Sequence, residues 1–145
     1  LLRNELFVVE KDNSSFELIG VENWGHPPFP KYGDLAASMN ESIANRFKIL
    51  LSHDPSHWRE EVTFKTNIDL TLAGHTHGMQ FGIEIPGVLK WSPIKWRYKY
   101  WAGIYKKAGQ FINVNRGFGF LAFPGRVGIW PEISVITLKK GINNT

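Results

Sequence analysis

The chain has 145 residues, enough for one ordinary domain with a real core, and its 43% hydrophobic and 21% charged content excludes a disordered segment. With no cysteine, disulfides and thiolate metal sites are excluded, and the redox compartment stays open. The net charge of +4 is modest and comes mostly from one segment, while no apolar run approaches the roughly 20 residues that a membrane helix needs.

The chain opens "LLRNELF", without an initiator Met or a visible signal peptide, and reads as a piece of a longer protein. "LFVVE" and "FELIGV", joined by the turn-forming "KDNSS", predict a hairpin. "GHPPFPKYGD" is a Pro/Gly-rich loop in which His26 reads as a loop residue rather than a ligand. "LAASMNESIANRF" predicts a helix, because Leu35, Met39, Ile43 and Phe47 recur every four residues. "KILLS" is a short apolar strand. "DPSHWREEVTF" then predicts a second helix, capped by Asp54 with Pro55 in its first turn, and His57 on its surface. "IDLTLAG" is another buried strand.

Strand, helix and strand, with both strands continuously apolar, predict a right-handed βαβ unit with adjacent parallel strands. Open α/β sheets bind ligands outside the C-terminal ends of such strands. His53 leaves one of those ends, and His75 and His77 in "AGHTHG" leave the other. In an extended segment residues i and i+2 point the same way, so His75 and His77 present both rings to one side, with Thr76 turned away. Neutral imidazoles suit a metal, either one ion or two neighbouring ions about 3.5–4 Å apart. A polar turn carrying two exposed histidines is the alternative, and a buried or capping histidine is the alternative for His53. Asp54 and Asp69 read as cap and strand-entry residues, so the histidines lack an obvious carboxylate partner.

Residues 81–110 read as loop, aromatic and basic. Within them a loop at 89–107 interleaves Lys90, Lys95, Arg97, Lys99, Lys106 and Lys107 with Trp91, Trp96, Tyr98, Tyr100, Trp101 and Tyr105. Rings and cations in this mixture suit a membrane surface, with Trp91, Lys95, Trp96, Arg97 and Trp101 as the contacts. Packing of the rings on the core is the default reading for such a loop, and single-stranded nucleic acid is the least favoured one. "QFINVN" and "EISVITL" predict two further strands around the glycine-rich "RGFGFLAFPGRVGIWP", and "KKGINNT" a solvated tail. Arg116 and Arg126, beside glycine turns, are candidates for holding a phosphate bidentately, with an ordinary surface arginine as the alternative for each.

"ILLSHDP", "IDLTLAGHTHGMQ", "INVNRGFG" and "GRVGIWPEISVITL" together resemble the calcineurin-like metallophosphoesterase superfamily. The branch they most resemble is bacterial and membrane-associated, and includes hydrolases of UDP-2,3-diacylglucosamine. The resemblance runs from Leu1 to about Lys140 but over the family's C-terminal half alone. It implies an α/β fold, half of a four-layer αββα sandwich with strands from both sheets, and 1–145 as the C-terminal portion of one domain. It implies two divalent ions (Mn, Fe or Zn), with His53 and His75 on one and His77 on the other. It also implies hydrolysis of a phosphodiester or pyrophosphate, including lipid-linked esters, by a membrane-associated parent protein. The family's Asp-x-His, Gly-Asp-x-x-Asp and Gly-Asn-His blocks have no match here, so this piece, itself soluble, is expected to be inactive alone or nearly so. An exposed apolar sheet surface would favour its self-association. Met79 stands where close relatives have glycine. The competing reading is a non-catalytic membrane- or nucleic-acid-binding module built on 89–107.

Overall fold

The computed structural model describes residues 1–25 and 27–141; His26 and the last four residues of the predicted tail lie outside them. Strands β1 (Glu5–Lys11) and β2 (Ser14–Gly20) form the predicted hairpin. Its turn is tighter than expected: Asp12 and Asn13 both take positive φ, +47° and +59°, a conformation matched to the twist of a two-residue hairpin. Helix α1 covers Leu35–Ser38, β3 Phe47–Leu51, α2 Pro55–His57 with a π turn Trp58–Val62, and β4 Leu70–Ala73. Beyond them lie β5 (Ile83–Ile85), β6 (Leu89–Trp91), β7 (Gly103–Lys107) and β8 (Gln110–Val114). Six strands make one mixed sheet in the order β1-β2-β3-β4-β8-β7, and β5 with β6 makes a separate ribbon. The α/β expectation holds, and so does the parallel pairing of β3 with β4 across α2.

One face of the sheet carries the core. Ile19, Leu50, Ala73, Ile112 and Val114 pack there against Leu35, Trp58 and Val62. The start of α2 follows the sequence: the Asp54 carboxylate accepts from the Ser56 N–H at 2.7 Å, and Pro55 occupies the first turn.

The first helix is a correction. It ends after four residues, and Ile43 and Phe47 are 52% and 43% exposed instead of lining a buried stripe. The cause is a buried ion pair. Lys48, fully buried, donates from Nζ to the carbonyls of Ile43, Ala44 and Arg46 at 2.6, 3.2 and 2.8 Å. Glu17, also fully buried, accepts from Ser42 Oγ and the Ile43 N–H. Backbone groups that would have propagated the helix are instead drawn around two charges that burial compels to be satisfied.

The segment 89–107 is also not a plain loop. It holds β6, a 3-10 turn at Pro93–Trp96 and all of β7, which pairs with β8 in the main sheet. "EISVITL" differs in the other direction, since 132–138 joins no ladder among the described residues. It still alternates: Ile133 and Val135 are 77% and 90% exposed, Ile136 and Leu138 42% and 44%. Ser134 accepts from Asn113 and Asn115, Ile136 lines one groove with Leu18, Leu51 and Leu72, and Leu138 lines another with Phe16 and Phe47. The segment thus lies against the second sheet face with no neighbouring strand to bond.

A histidine pocket at the strand ends

Strands β2, β3, β4 and β8 are mutually parallel neighbours, so their C-terminal ends share one edge. The ladder continues past the strands through Ser52 N–H to Leu72 O (3.1 Å) and Gly74 N–H to His53 O (3.0 Å). This second bond ties His53 to the residue before His75. Their rings stand edge to face, with centroids 5.0 Å apart and planes at 83°.

His75 and His77 are not on the extended backbone that the i, i+2 argument assumes. His75, His77, Gly78, Met79 and Gln80 all have positive φ, from +50° to +69°. Non-glycine residues in that region cost about 1–2 kcal/mol each and need a surround that enforces them. That surround is visible. Thr76 is buried, Oγ1 donating to Trp101 O at 2.7 Å. Ser92 Oγ donates to Gly78 O at 2.8 Å, and Arg126 donates to His77 O at 3.1 Å. A Cβ on Gly78 would lie 3.0 Å from Ile129 and 3.2 Å from Arg116, so the turn has no spare room there.

A cavity of about 480 Å³ opens at this edge, lined by His53, Asp54, His75, Arg97, Tyr98 and the loop at Pro27–Phe29. His75 Nε2 and Tyr98 Oη are 2.7 Å apart. Desolvation, then the neighbouring His75 ring, push His53 below the ordinary imidazole value, against the pull of Asp54. Desolvation, then Arg126 and His53, do the same for His77. Tyr98 moves up, through burial and then Asp54, and stays a neutral phenol.

The donor chemistry fits a metal in part. His53 and His77 are held neutral, and His77 Nδ1 is buried without a hydrogen-bond partner. Among the described residues, however, no group of three or more His, Asp or Glu side chains is arranged to hold an ion. Asp54 and Asp69 serve structure, as read: Asp54 caps α2, and Asp69 accepts from the Lys48 N–H at 2.8 Å.

The two arginines singled out for phosphate are engaged elsewhere. Arg116 Nε donates to Glu132 at 2.7 Å and its NH1 to Glu84, with the guanidinium side chain only 10% exposed. Arg126 is spent on three backbone carbonyls, those of His77, Arg116 and Gly119. Arg97 is exposed and lines the cavity. Of the five residues expected to meet a membrane, Trp101 is a correction, 5% exposed in a small core with Ala102 and Ile129. Its carbonyl braces the Thr76 turn. Trp91 is half-buried and edge-on to Trp96, leaving Lys95, Trp96 and Arg97 at the surface.

His57 is the other correction. It is fully buried rather than on a helix surface, stacked on Trp24 at 5.4 Å, its Nδ1 2.8 Å from Ser52 Oγ and its Nε2 3.5 Å from Glu61. The short helix turns His57 back under the strand end, where it holds Ser52 beside His53. Sequence reading also passed over Tyr98 as a site residue. It lies 23 residues from His75, and no local spacing signals their contact.

Comparison with known proteins adds sequence relatives. Over 130 residues the chain is 32% identical to an uncharacterized metallophosphoesterase, YkuE, of Bacillus subtilis, covering 88% of this chain and 42% of that one. Over 142 residues it is 30% identical to the phosphodiesterase YaeI of Escherichia coli, covering 95% and 47%. A transmembrane protein with metallophosphoesterase domain from Danio rerio is 29% identical over 115 residues, covering 77% and 25%. The chain spans less than half the length of these curated relatives. No family profile and no solved structure matches it.

Proposed function

We propose that this chain, which belongs to the calcineurin-like metallophosphoesterase superfamily, is the C-terminal portion of a phosphoesterase domain with a binuclear metal centre. His53 and His75 would hold one divalent ion, and His77 the other. The observation that carries this reading is the Gly74-to-His53 backbone bond, which sets the two imidazoles side by side at the strand ends. Held by these imidazoles, such ions would supply positive charge to phosphoryl oxygens and would lower the pKa of a coordinated water. Manganese, iron and zinc all suit imidazole and oxygen donors.

The chain's own residues prepare that chemistry. The clamped turn holds His75 and His77 at fixed φ, so the rings need little reorganisation on binding. Arg97 supplies the cation that meets the substrate's phosphate at the cavity rim, since Arg116 and Arg126 are committed to structure. Phosphodiesters and pyrophosphates are the substrate class. The exposed Lys95 and Trp96, next in sequence to the cavity-lining Arg97, support a lipid-linked ester presented at a membrane surface. Among the described residues no helix is long and apolar enough to cross a membrane.

The remaining ligands would come from outside this chain. The second sheet face supports such a partner: Phe7, Ile104 and Phe111 are 58%, 72% and 37% exposed on it, and 132–138 lies across it outside any ladder among the described residues. A bis-nitrophenyl phosphate assay with Mn²⁺ tests the proposal. The full-length protein is expected to turn over and to lose at least about 100-fold on His75→Ala, with little turnover by residues 1–145 alone. Robust His75-dependent turnover by 1–145 would overturn the incomplete-site reading, and full-length activity indifferent to His75 would overturn the metal assignment.

A further inference from the structure

A ligating imidazole must offer a lone pair from one nitrogen while the other carries its proton, and the partner of that second nitrogen decides which is which. For His75 that partner is Tyr98. Tyr98 Oη lies 2.7 Å from Nε2, and the two rings meet at 5.3 Å and 74°. Tyr98 is itself anchored: its N–H donates to Ile94 O at 2.8 Å, and its ring packs on the small core of Trp101, Ala102 and Ile129. The phenol is therefore a fixed point to which the His75 ring is tied.

We propose that Tyr98 is a positioning residue for the metal centre: by occupying Nε2 of His75 it reserves Nδ1 for the ion. The inference rests on the metal reading of the preceding subsection. If Oη donated to Nε2, the proton of the neutral ring would sit on Nδ1, and neither nitrogen would have a free lone pair. Metal binding thus selects the tautomer in which Nε2–H donates to Oη. The aromatic segment thereby acquires a second task besides lining the rim, because its placement sets the aim of a ligand 23 residues upstream.

The experiment uses the full-length protein, labelled with ¹⁵N-histidine and loaded with ¹¹³Cd²⁺. Scalar coupling from cadmium to Nδ1 of His75 is expected. Coupling to Nε2 would overturn the proposal, since Tyr98 would then have to be displaced. Titration calorimetry of Tyr98→Phe with Cd²⁺ gives an independent reading, as the phenyl ring keeps the packing. One site is expected to weaken about 10- to 100-fold, while the metal-free melting temperature stays within a few degrees. Unchanged affinity would refute the role of Tyr98 while leaving the metal centre intact. An absence of coupling at either His75 nitrogen, with His75→Ala leaving cadmium affinity unchanged, would sink the metal reading itself and this inference with it.

Discussion

Replacing Arg116 by Met would separate a structural arginine from a substrate-binding one. The guanidinium bonds Glu132 through Nε at 2.7 Å and Glu84 through NH1, joining segments 32 and 16 residues away. Side-chain exposure is 10% for Arg116, 18% for Glu84 and 20% for Glu132. Removing one partner of a buried pair typically costs about 3–5 kcal/mol, because the charge left behind stays desolvated. Here both carboxylates keep some access to water, so the lower end, about 3 kcal/mol, is the expected loss in urea denaturation of the full-length protein at pH 7. Adding Glu84→Gln and Glu132→Gln should restore about 2 kcal/mol by removing the stranded charges. The pH dependence has a definite sign. Burial works to raise the Glu132 carboxyl, yet the Arg116 hydrogen bonds and charge hold it below its ordinary value. Its stabilising share is therefore present above the unfolded carboxylate range, near pH 4.3, and lost as pH falls through the lower folded value. The gap between wild type and Arg116→Met should shrink below about pH 4.5. A stability loss under about 0.5 kcal/mol, accompanied by a raised KM, would show instead that Arg116 serves substrate.

Three shorter predictions bear on the site. Arg97→Ala should raise KM for a phosphodiester about 10-fold or more with little change in melting temperature; an unchanged KM would remove Arg97 from the rim. Burial depresses His57, and Glu61 opposes it only in part, so the unfolded chain binds the extra proton and stability falls as pH drops below about 6.5. His57→Gln should flatten that slope by up to about 1.4 kcal/mol per pH unit, and an identical slope in both proteins would contradict a buried neutral His57. Met79 is 55% exposed at φ +55°, so Met79→Gly relieves left-handed strain at a smaller entropic cost and should stabilise by about 0.5–1 kcal/mol; a lower melting temperature would contradict the strain.

The parts legible in the sequence were those set by local pattern. Continuous apolar runs marked β3 and β4, Asp54 and Pro55 marked the start of α2, and the βαβ rule then brought His53 toward His75. What escaped was set by tertiary contact. The period of four through Leu35 and Phe47 is real, but the buried Lys48–Glu17 pair claims the backbone that would have continued α1. His57 carries the same type of side chain as the site histidines, and only the tight turn of α2 decides that it goes inward. Trp101 lies in the same aromatic segment as Trp96, yet one packs with Ala102 and Ile129 and the other is 76% exposed, a difference set by tertiary contact. Among the described residues no ladder forms at 132–138, although the alternation is present, since ladder bonds require a neighbour in the same layer.

The most direct test of the account is anomalous diffraction from manganese-soaked crystals of the full-length protein. Two peaks about 3.5–4 Å apart are expected, one within bonding distance of His53 and His75 and the other of His77. Ions bound elsewhere, with these three imidazoles free of metal at saturating manganese, would contradict it.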